Sequence, residues 1–408
     1  MSKIIPFKAI RPTRDKAQLV ATRPYYSYKK NVLKAKLESN PFTFLRIINP
    51  EFNTQKKTKA NSKERFELVK KGYDLFLNDG ILIKEKKEKI YLYQQTVDGH
   101  EFSGVIAGAN LEEYQKGLIK KHEATITSRE EVFVNYLDIV GYNAEPVLLT
   151  HKSNKQINTL LEEIKKDRPE YEFSTTDKIK HELWVLKDDH AQKIIDAFSS
   201  ISSLYIADGH HRSASSAGIL KKRGGLAKSI NEKHFLAFLM DENKIKILEF
   251  NRLVKTLNNL SPIEFLDKIS LLGKLVKLKN KRKPVKEHEF TFYIHKSWYS
   301  LTLNNKHIPQ KDPVKCLDTA LLTNLILSPI LGITDLKNDA RISFVSGKED
   351  IEKTIKEVDN ISRSVLFCLY PISIDQIKNV ADNKEIMPPK STWIEPKLRS
   401  GLTIYPIS

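Results

Sequence analysis

The densest group of side chains that could do chemistry lies in residues 205–214, which read Tyr-Ile-Ala-Asp-Gly-His-His-Arg-Ser-Ala. Leu204–Ala207 is a short apolar run that predicts a strand, and His210–Leu220 predicts a helix. A helix N-terminus carries N–H groups without helical partners and the positive end of the helix dipole, so it suits a phosphate group. Gly209, between the two elements, permits a tight turn and a close approach of the backbone to a ligand.

Three side chains that could donate hydrogen bonds to an anion follow this glycine directly: His210, His211 and Arg212. Ser213 and the small residues after it allow the helix to pack closely against a sheet or a ligand. We therefore predict an anion site at residues 208–213. The alternative is an Asp-Gly turn whose histidines only cap the helix. Adjacent histidines lie about 100° apart on a helix, so they do not predict a shared metal ion.

Helices and strands are both predicted around this turn. The alternating apolar pattern of Tyr91–Thr96 and Phe102–Ala107 predicts a hairpin. The spacing of apolar residues predicts a helix over Ser62–Asn78, with Asn61 as its cap, and a strongly apolar helix over Asp318–Leu331. Because strict β-α-β repetition is missing, we predict an α+β fold.

The net charge is +18, from 68 Lys and Arg against 50 Asp and Glu among 408 residues. Such an excess raises the hypothesis of nucleic-acid binding. However, residues 84–89 read as a solvated turn and residues 274–286 as a half-exposed strand, and the sequence has no zinc-finger, RNP-like or basic-zipper pattern. We therefore expect a lysine-rich, solvated surface without specific nucleic-acid binding.

The cysteine content and the hydropathy pattern indicate the compartment. Cys316 and Cys368 are too few for a disulfide framework or a cysteine zinc cluster, which indicates a reducing environment. No apolar run approaches the roughly 20 residues that span a bilayer, and the first residues lack the apolar core of a signal peptide. We expect a cytoplasmic protein without a membrane partner.

The Ile-Ala-Asp-Gly-His-His-Arg motif at residues 206–212 resembles the core motif of the domain of unknown function 1015 family. That family is similar to the ParB/sulfiredoxin superfamily, in which a Gly-X-X-Arg turn binds nucleotide phosphates. The matching residues here are Gly209 and Arg212. Within that superfamily, the functional resemblance is to free serine kinases.

The resemblance covers nearly the whole chain. One departure is Tyr25-Tyr26-Ser27, where many members carry Pro-Tyr-Asp, so this chain has a serine in place of that aspartate. The matching blocks are Ile5–Pro12, Asn40–Arg46 with Pro50-Glu51, His122–Thr125 with Arg129 and Glu130, Asn143–Val147, and the tail Met387–Gly401.

The resemblance implies a mixed-sheet, ParB/sulfiredoxin-like nucleotide-binding core over residues 1–250. An additional α+β region would cover residues 251–408, with a closing loop at 387–401. The implied activity is a nucleotide-dependent small-molecule kinase of serine metabolism, which uses Mg²⁺ with ATP or ADP and converts free L-serine to O-phosphoserine. The alternative is a ParB-like nucleotide-binding regulator without kinase activity. Because no helix-turn-helix is predicted after the motif, the sequence favours the enzyme.

Phosphoryl transfer requires charge neutralisation and a base for the acceptor hydroxyl. Arg212 is the predicted phosphate clamp, since a guanidinium can bind two phosphate oxygens at once. Asp208 either holds Mg²⁺ or caps the following helix. Glu123 is the predicted general base, and its alternative role is a structural ion pair with Arg129. His122, Thr125 and Arg129 are predicted to lie around the substrate.

The proline-stiffened loop 387–401 is rich in polar residues, including Lys397. It could fold over the site and contribute phosphate or carboxylate ligands, or it could be a rigid tail that packs Trp393 into the core. The residues of this loop that are predicted to contact substrate, directly or through a neighbour, are Lys390, Ser391, Thr392 and Arg399.

Overall fold

Two separate β-sheets, each packed against amphipathic helices, form the framework of the chain. The computed structural model describes residues 2–407, apart from the side chain of Tyr26. Helices and mixed-direction strands both occur, so the α+β prediction with an additional α+β C-terminal region is confirmed.

Most of the strands are short. In chain order they are β1 Ile4–Ile5, β2 Ile10–Pro12, β3 Leu82–Lys84, β4 Tyr91–Val97, β5 His100–Asn110, β6 Ile119–Lys120, β7 Tyr142–Asn143, β8 Val147–His151, β9 Tyr171–Ser174, β10 Lys180–Val185, β11 Leu204–Asp208, β12 His234–Asp241, β13 Lys246–Leu248, β14 Phe250–Val254, β15 Gly273–Leu278, β16 Glu289–Ile294, β17 Ser297–Leu303, β18 Ile342–Ser346, β19 Val365–Cys368, β20 Trp393–Glu395 and β21 Tyr405–Pro406.

The α-helices are α1 Ala17–Val20, α2 Lys30–Ser39, α3 Phe44–Ile48, α4 Lys63–Asn78, α5 Leu111–Gln115, α6 Thr127–Val140, α7 Lys155–Ile164, α8 Asp188–Ser199, α9 His210–Lys222, α10 Pro262–Ser270, α11 Asp318–Leu322, α12 Ile351–Asn360 and α13 Ile374–Asp382. Short 3₁₀ turns cover Tyr25–Ser27, Asn231–Lys233 and Asn305–His307.

The first unit of the chain comprises residues 2–121, 125–245 and 396–407. Its main sheet has the strand order β6-β11-β8-β12-β5-β4-β10-β9, and β1 pairs with β5. The β11–β6 and β12–β8 pairs are parallel and the other pairs are antiparallel, so the sheet is mixed. The predicted hairpin is confirmed as β4 and β5.

The core of this unit forms where apolar strand residues meet the apolar faces of α7 and α8. Ile157 and Leu161 of α7 and Ile194 and Phe198 of α8 are buried against residues such as Leu149 of β8. Removing this apolar surface from water is the main force that holds the helices on the sheet. The carboxyl end of β11 therefore has a rigid support.

The second unit comprises residues 122–124 and 246–395. Its sheet has the order β15-β17-β16-β19-β14-β18, and all its pairs are antiparallel. The predicted boundary at residue 250 stays a prediction. In the structure, residues 122–124 and 246–250 group with the second unit, and residues 396–407 group with the first.

Two local predictions were wrong. Asn61 has a left-handed backbone (φ 61°), and Ser62 is the residue that caps α4, accepting a hydrogen bond from the Arg65 amide. The helix predicted over Asp318–Leu331 is α-helical only in α11 and continues as a π-helical turn over Thr323–Leu327. The Thr323 hydroxyl donates to the Thr319 carbonyl, a bond that bends helices.

Candidate functional site

The strand β11 ends in an irregularity that sets the direction of Asp208. Ile206 pairs with Leu149 and Asp208 with Leu148, so Ala207 is the extra residue of a β-bulge. Bulges of this kind redirect a side chain and are frequent next to active sites. Asp208 therefore leaves the sheet at the point where α9 begins.

Gly209 forms the turn between β11 and α9, as predicted. Its backbone is left-handed (φ 104°, ψ 28°), and it occupies the N-cap position of α9 without a side-chain cap. A Cβ atom at this position would lie 3.0 Å from Nε and Nη2 of Arg212. A glycine is needed here because a side chain would meet both an unfavourable backbone conformation and the folded-back guanidinium.

Arg212 is held by acceptors from two directions. Its Nη1 donates to the carboxylate of Glu145 and to the carbonyl of Pro146 (2.7 Å), and its Nη2 lies 3.0 Å from Oδ2 of Asp208. Glu145 and Pro146 lie in the loop between β7 and β8, and β8 is the neighbour of β11 in the main sheet. The guanidinium is thus fixed beside the first turn of α9.

The tail supplies a second cation to the same cluster. The ammonium of Lys397 lies 3.1 Å from Oδ1 of Asp208, and the hydroxyl of Ser400 donates to Oε2 of Glu145 (3.1 Å). Two carboxylates and two cations therefore form one connected network. Lys397 thus brings the tail into contact with the turn.

The two carboxylates of this network differ in acidity. Burial raises the pKa of Asp208, but Lys397 and Arg212 outweigh burial and hold that pKa below its ordinary value. Burial raises the pKa of Glu145 above its ordinary value, because Arg212 offsets burial only in part and the neighbouring Asp208 charge raises it further. Neighbouring carboxyls with separated pKa values are a common arrangement for acid–base work.

The polar residues that follow Gly209 have different surroundings. His210 is buried, and burial lowers its pKa to about 4, so its imidazole is neutral at pH 7. His211 is half-buried. The Ser213 hydroxyl is buried and donates to the His210 carbonyl (3.0 Å). His210 can offer a ligand one N–H group but no positive charge.

The remaining predicted residues are divided between the two units. Thr125 and Arg129 belong to the first unit, with Arg129 in α6, and Arg399 also belongs to it. The other predicted residues belong to the second unit: His122, Glu123, Lys390, Ser391 and Thr392. The placement of Glu123 and of these loop residues around the substrate stays a prediction.

Two of the second-unit loop residues have defined contacts there. The carbonyl of Lys390 accepts a hydrogen bond from the buried Arg252 (3.0 Å), and the hydroxyl of Ser391 lies 3.1 Å from that of Thr319. These contacts fix the loop within its own unit.

Glu145 was not predicted as a site residue, and neither was Asp177, which binds Arg399 with both carboxylate oxygens (2.9 Å each). For Glu145 a signal exists, because it lies in the Asn-Ala-Glu-Pro-Val block that resembles the family. No sequence signal marks Asp177.

Asp208 and Glu145 are suitable oxygen ligands for Mg²⁺, which typically takes one or two carboxylates and completes its shell with water and phosphate oxygens. Within residues 2–407, no group of three or more His, Cys, Asp or Glu side chains could hold a metal ion by itself. A cation at this site would therefore bind together with a phosphate ligand.

Within residues 2–407, no helix has the length and apolar character needed to cross a membrane.

The chain belongs to the family described as protein of unknown function (DUF1015), whose model matches residues 4–320. The family prediction is thereby confirmed. No curated protein matches the chain.

Several solved structures show a distant likeness. SbnI with C-terminal truncation from Staphylococcus aureus is 14% identical, covers 74% of this chain and 87% of that chain, and gives a TM-score of 0.39. A free serine kinase in complex with AMP is 12% identical, covers 74% and 91%, and gives 0.34. A conserved hypothetical protein from Pyrococcus furiosus is 12% identical, covers 73% and 95%, and gives 0.35.

Proposed function

We propose that the chain binds a nucleotide at residues 208–213 and transfers its terminal phosphoryl group to the hydroxyl of a small molecule. The observation that supports this most is the Gly209 turn, which opens α9 with Arg212 and Lys397 beside it. Backbone N–H groups, the helix dipole and two cations there favour a phosphate. The resemblance of the motif implies free L-serine as the acceptor.

Each cation of the cluster has a carboxylate partner in the structure, so nucleotide binding would exchange these partners for phosphate oxygens. Phosphate oxygens would take hydrogen bonds from Arg212 and Lys397, which Asp208 and Glu145 otherwise accept. These two carboxylates would then hold Mg²⁺ against the phosphates, and the cation would supply further charge neutralisation.

In the transfer step, the serine hydroxyl oxygen attacks the terminal phosphorus of ATP or ADP. The new O–P bond forms as the bond to the bridging oxygen breaks, which gives O-phosphoserine and a nucleotide shorter by one phosphate. The hydroxyl proton goes to the proposed base, the Glu123 carboxylate.

We also propose a cytoplasmic location, since Cys316 and Cys368 are both free thiols.

A direct assay tests this proposal. The purified protein is incubated with Mg²⁺, L-serine and either ATP or ADP, and phosphoserine is measured by mass spectrometry while nucleotide binding is measured by calorimetry. Arg212→Lys should weaken nucleotide binding because a lysine cannot make the planar, two-sided contact of a guanidinium. Arg223→Lys, at the other end of α9, is the matched control because it changes an ion-paired arginine away from the turn.

Phosphoserine formation by the wild type, with loss of nucleotide affinity in Arg212→Lys alone, supports the kinase. Nucleotide binding without phosphoserine from either donor overturns the kinase and leaves the nucleotide-binding regulator. Equal nucleotide affinity in wild type and Arg212→Lys overturns the assignment of the site itself.

A further inference from the structure

A second charged cluster of the first unit contains Arg399, Asp177 and Arg23. Nη2 of Arg399 donates to both oxygens of Asp177 and to the Thr175 hydroxyl (3.2 Å). The guanidinium of Arg23 lies 3.9 Å from Asp177 and stacks on the ring of Tyr28. Arg399 is almost completely buried, with 3% of its side chain exposed, whereas 35% of the Arg23 side chain is exposed.

Arg399 has a donor that the described residues leave without an acceptor. All hydrogen bonds of its guanidinium to protein go through Nη2, and the buried Nε has no partner. A buried donor without an acceptor is unfavourable, and a guanidinium presents its donors in a planar fork that matches a carboxylate. An anionic ligand would satisfy this donor.

The charges of this cluster do not balance. Burial raises the pKa of Asp177, but the Thr175 hydrogen bond and the cations Arg399 and Arg23 outweigh burial and lower that pKa to about 2, so Asp177 is a full anion at neutral pH. His181, which faces Arg399 and Asp177, is neutral because burial lowers its pKa to about 3. Two cations against one anion leave one positive charge for a ligand.

A buried chain of hydrogen bonds holds the cluster in place. The hydroxyl of Tyr93 and Nδ1 of His181 are 2.8 Å apart, and Nε2 of His181 lies 3.3 Å from the Thr175 hydroxyl. Tyr93 and His181 are both buried strand residues of β4 and β10. Thr175 lies in the turn between β9 and β10, and its hydroxyl, which accepts from Arg399, is tied to the sheet through His181. The guanidinium therefore needs little reorganisation to bind a ligand.

This cluster is linked to the proposed nucleotide turn through residues 397–399 of the tail. Arg399 follows Lys397 by two residues, so at most about 7 Å of chain separates them. Lys397 binds Asp208 through its side chain, and its carbonyl accepts a hydrogen bond from Gln95 of β4 (3.3 Å). One short tail segment thus connects the turn to the second cluster.

We propose that Arg399 and Arg23 bind the carboxylate of the phosphoryl acceptor, and that the acceptor is therefore a small hydroxy acid or amino acid. This inference rests on the proposed function, because it places the acceptor beside the nucleotide. The carboxylate of the acceptor would accept hydrogen bonds from the N–H groups of Arg399 and Arg23. Asp177 and Thr175 would keep Arg399 in position.

The experiment compares L-serine with L-serinamide, which lacks the carboxylate charge, in the full-length wild type. Binding of each compound is followed by ligand-observed NMR without nucleotide, and turnover is followed with Mg²⁺ and ATP or ADP. Arg399→Lys and Arg23→Gln are measured in the same way. Arg14→Gln is the matched control, because Arg14 is an exposed arginine of the same unit that pairs with Glu170.

We expect L-serinamide to bind roughly tenfold to a hundredfold more weakly than L-serine. Arg399→Lys and Arg23→Gln should raise KM for L-serine by a similar factor and leave kcat and nucleotide affinity nearly unchanged, and Arg14→Gln should match the wild type. Since the comparison of ligands needs no variant, it holds even where Arg399→Lys does not fold.

Equal binding of L-serine and L-serinamide, or unchanged L-serine affinity in a folded Arg23→Gln and a folded Arg399→Lys, would overturn the carboxylate site while leaving the kinase intact. Failure of the wild type to bind nucleotide or to form phosphoserine counts against the proposed function instead. In that case, the carboxylate site is still supported if NMR shows that L-serine binds the wild type and that this binding is lost in Arg23→Gln. The carboxylate site is overturned if the wild type does not bind L-serine.

Discussion

The ammonium of Lys397 lies 3.1 Å from Oδ1 of Asp208, although 189 positions separate the two residues in the chain. Arg212 contacts the other carboxylate oxygen of Asp208, so this side chain lies between two cations. The tail is therefore part of the candidate site and lies against the turn that begins α9.

Replacing Lys397 by methionine should weaken nucleotide binding about tenfold, because one cation that would face the phosphates is lost and the Asp208 charge is less compensated. Calorimetric titration with ADP measures the change. The matched control is Lys222→Met, which removes a lysine paired with Asp138 near the other end of α9. Equal losses in the two variants would show that Lys397 contributes only general charge.

Replacing Gly209 by alanine should abolish measurable nucleotide binding. The new Cβ would meet the Arg212 guanidinium at 3.0 Å, and the backbone is left-handed with φ 104°. Gly224→Ala is the matched control, since Gly224 is also left-handed (φ 69°) but no atom lies within 4 Å of the place that its new methyl group would take.

Both glycine variants should lose about 1–2 kcal/mol of unfolding free energy from backbone strain, and Gly209→Ala should lose more because of the clash. Chemical denaturation measures this difference, and nucleotide titration measures the site. A Gly209→Ala protein that binds nucleotide like the Gly224→Ala protein would contradict the close packing of Arg212 on the turn.

The strand, turn and helix of the site could be predicted because their signals are local. The apolar run of β11, the glycine and the small residues of α9 are contiguous in the sequence. The bulge at Ala207 could not be predicted, because it depends on the register between β11 and β8.

Glu145 and Asp177 could not be placed for a related reason. Their contacts with Arg212 and Arg399 depend on which strands are neighbours, and the order β11-β8 and β4-β10-β9 is not encoded in periodicity. The resemblance marked the block that contains Glu145 without a role for it, and Asp177 lies outside all the matching blocks.

Glutamine substitutions at Glu123 and Glu145 should separate catalysis from binding. Glu123→Gln removes the proposed base, so we expect phosphoserine formation to fall about 10²- to 10⁴-fold with unchanged nucleotide affinity. Glu145→Gln removes a proposed Mg²⁺ ligand, so it should reduce the affinity for the Mg²⁺-bound nucleotide first. Single-turnover rates and calorimetry measure the two effects, and the reverse pattern would assign the base to Glu145.

The stability of the first unit should fall as the pH drops below 6.5, in part because of His181. Its pKa is about 3 in the folded chain, where burial disfavours the imidazolium, and 6.5 in the unfolded chain. Above pH 6.5 the ring is neutral in both states, so it contributes no pH dependence. Between pH 6.5 and 3 only the unfolded chain takes up the proton, which favours unfolding.

At pH 5.0, this uptake should cost about 2 kcal/mol relative to pH 7.5. His181→Gln, which keeps a polar partner for Tyr93, should lose less stability over the same interval, as measured by urea unfolding at both pH values. His100→Gln on the exposed β4–β5 hairpin is the control and should keep the wild-type difference. Because His210 also resists protonation, with a pKa of about 4, some acid sensitivity should persist in His181→Gln. An identical loss of stability in wild type and His181→Gln would show that the buried ring accepts a proton without opposing the fold.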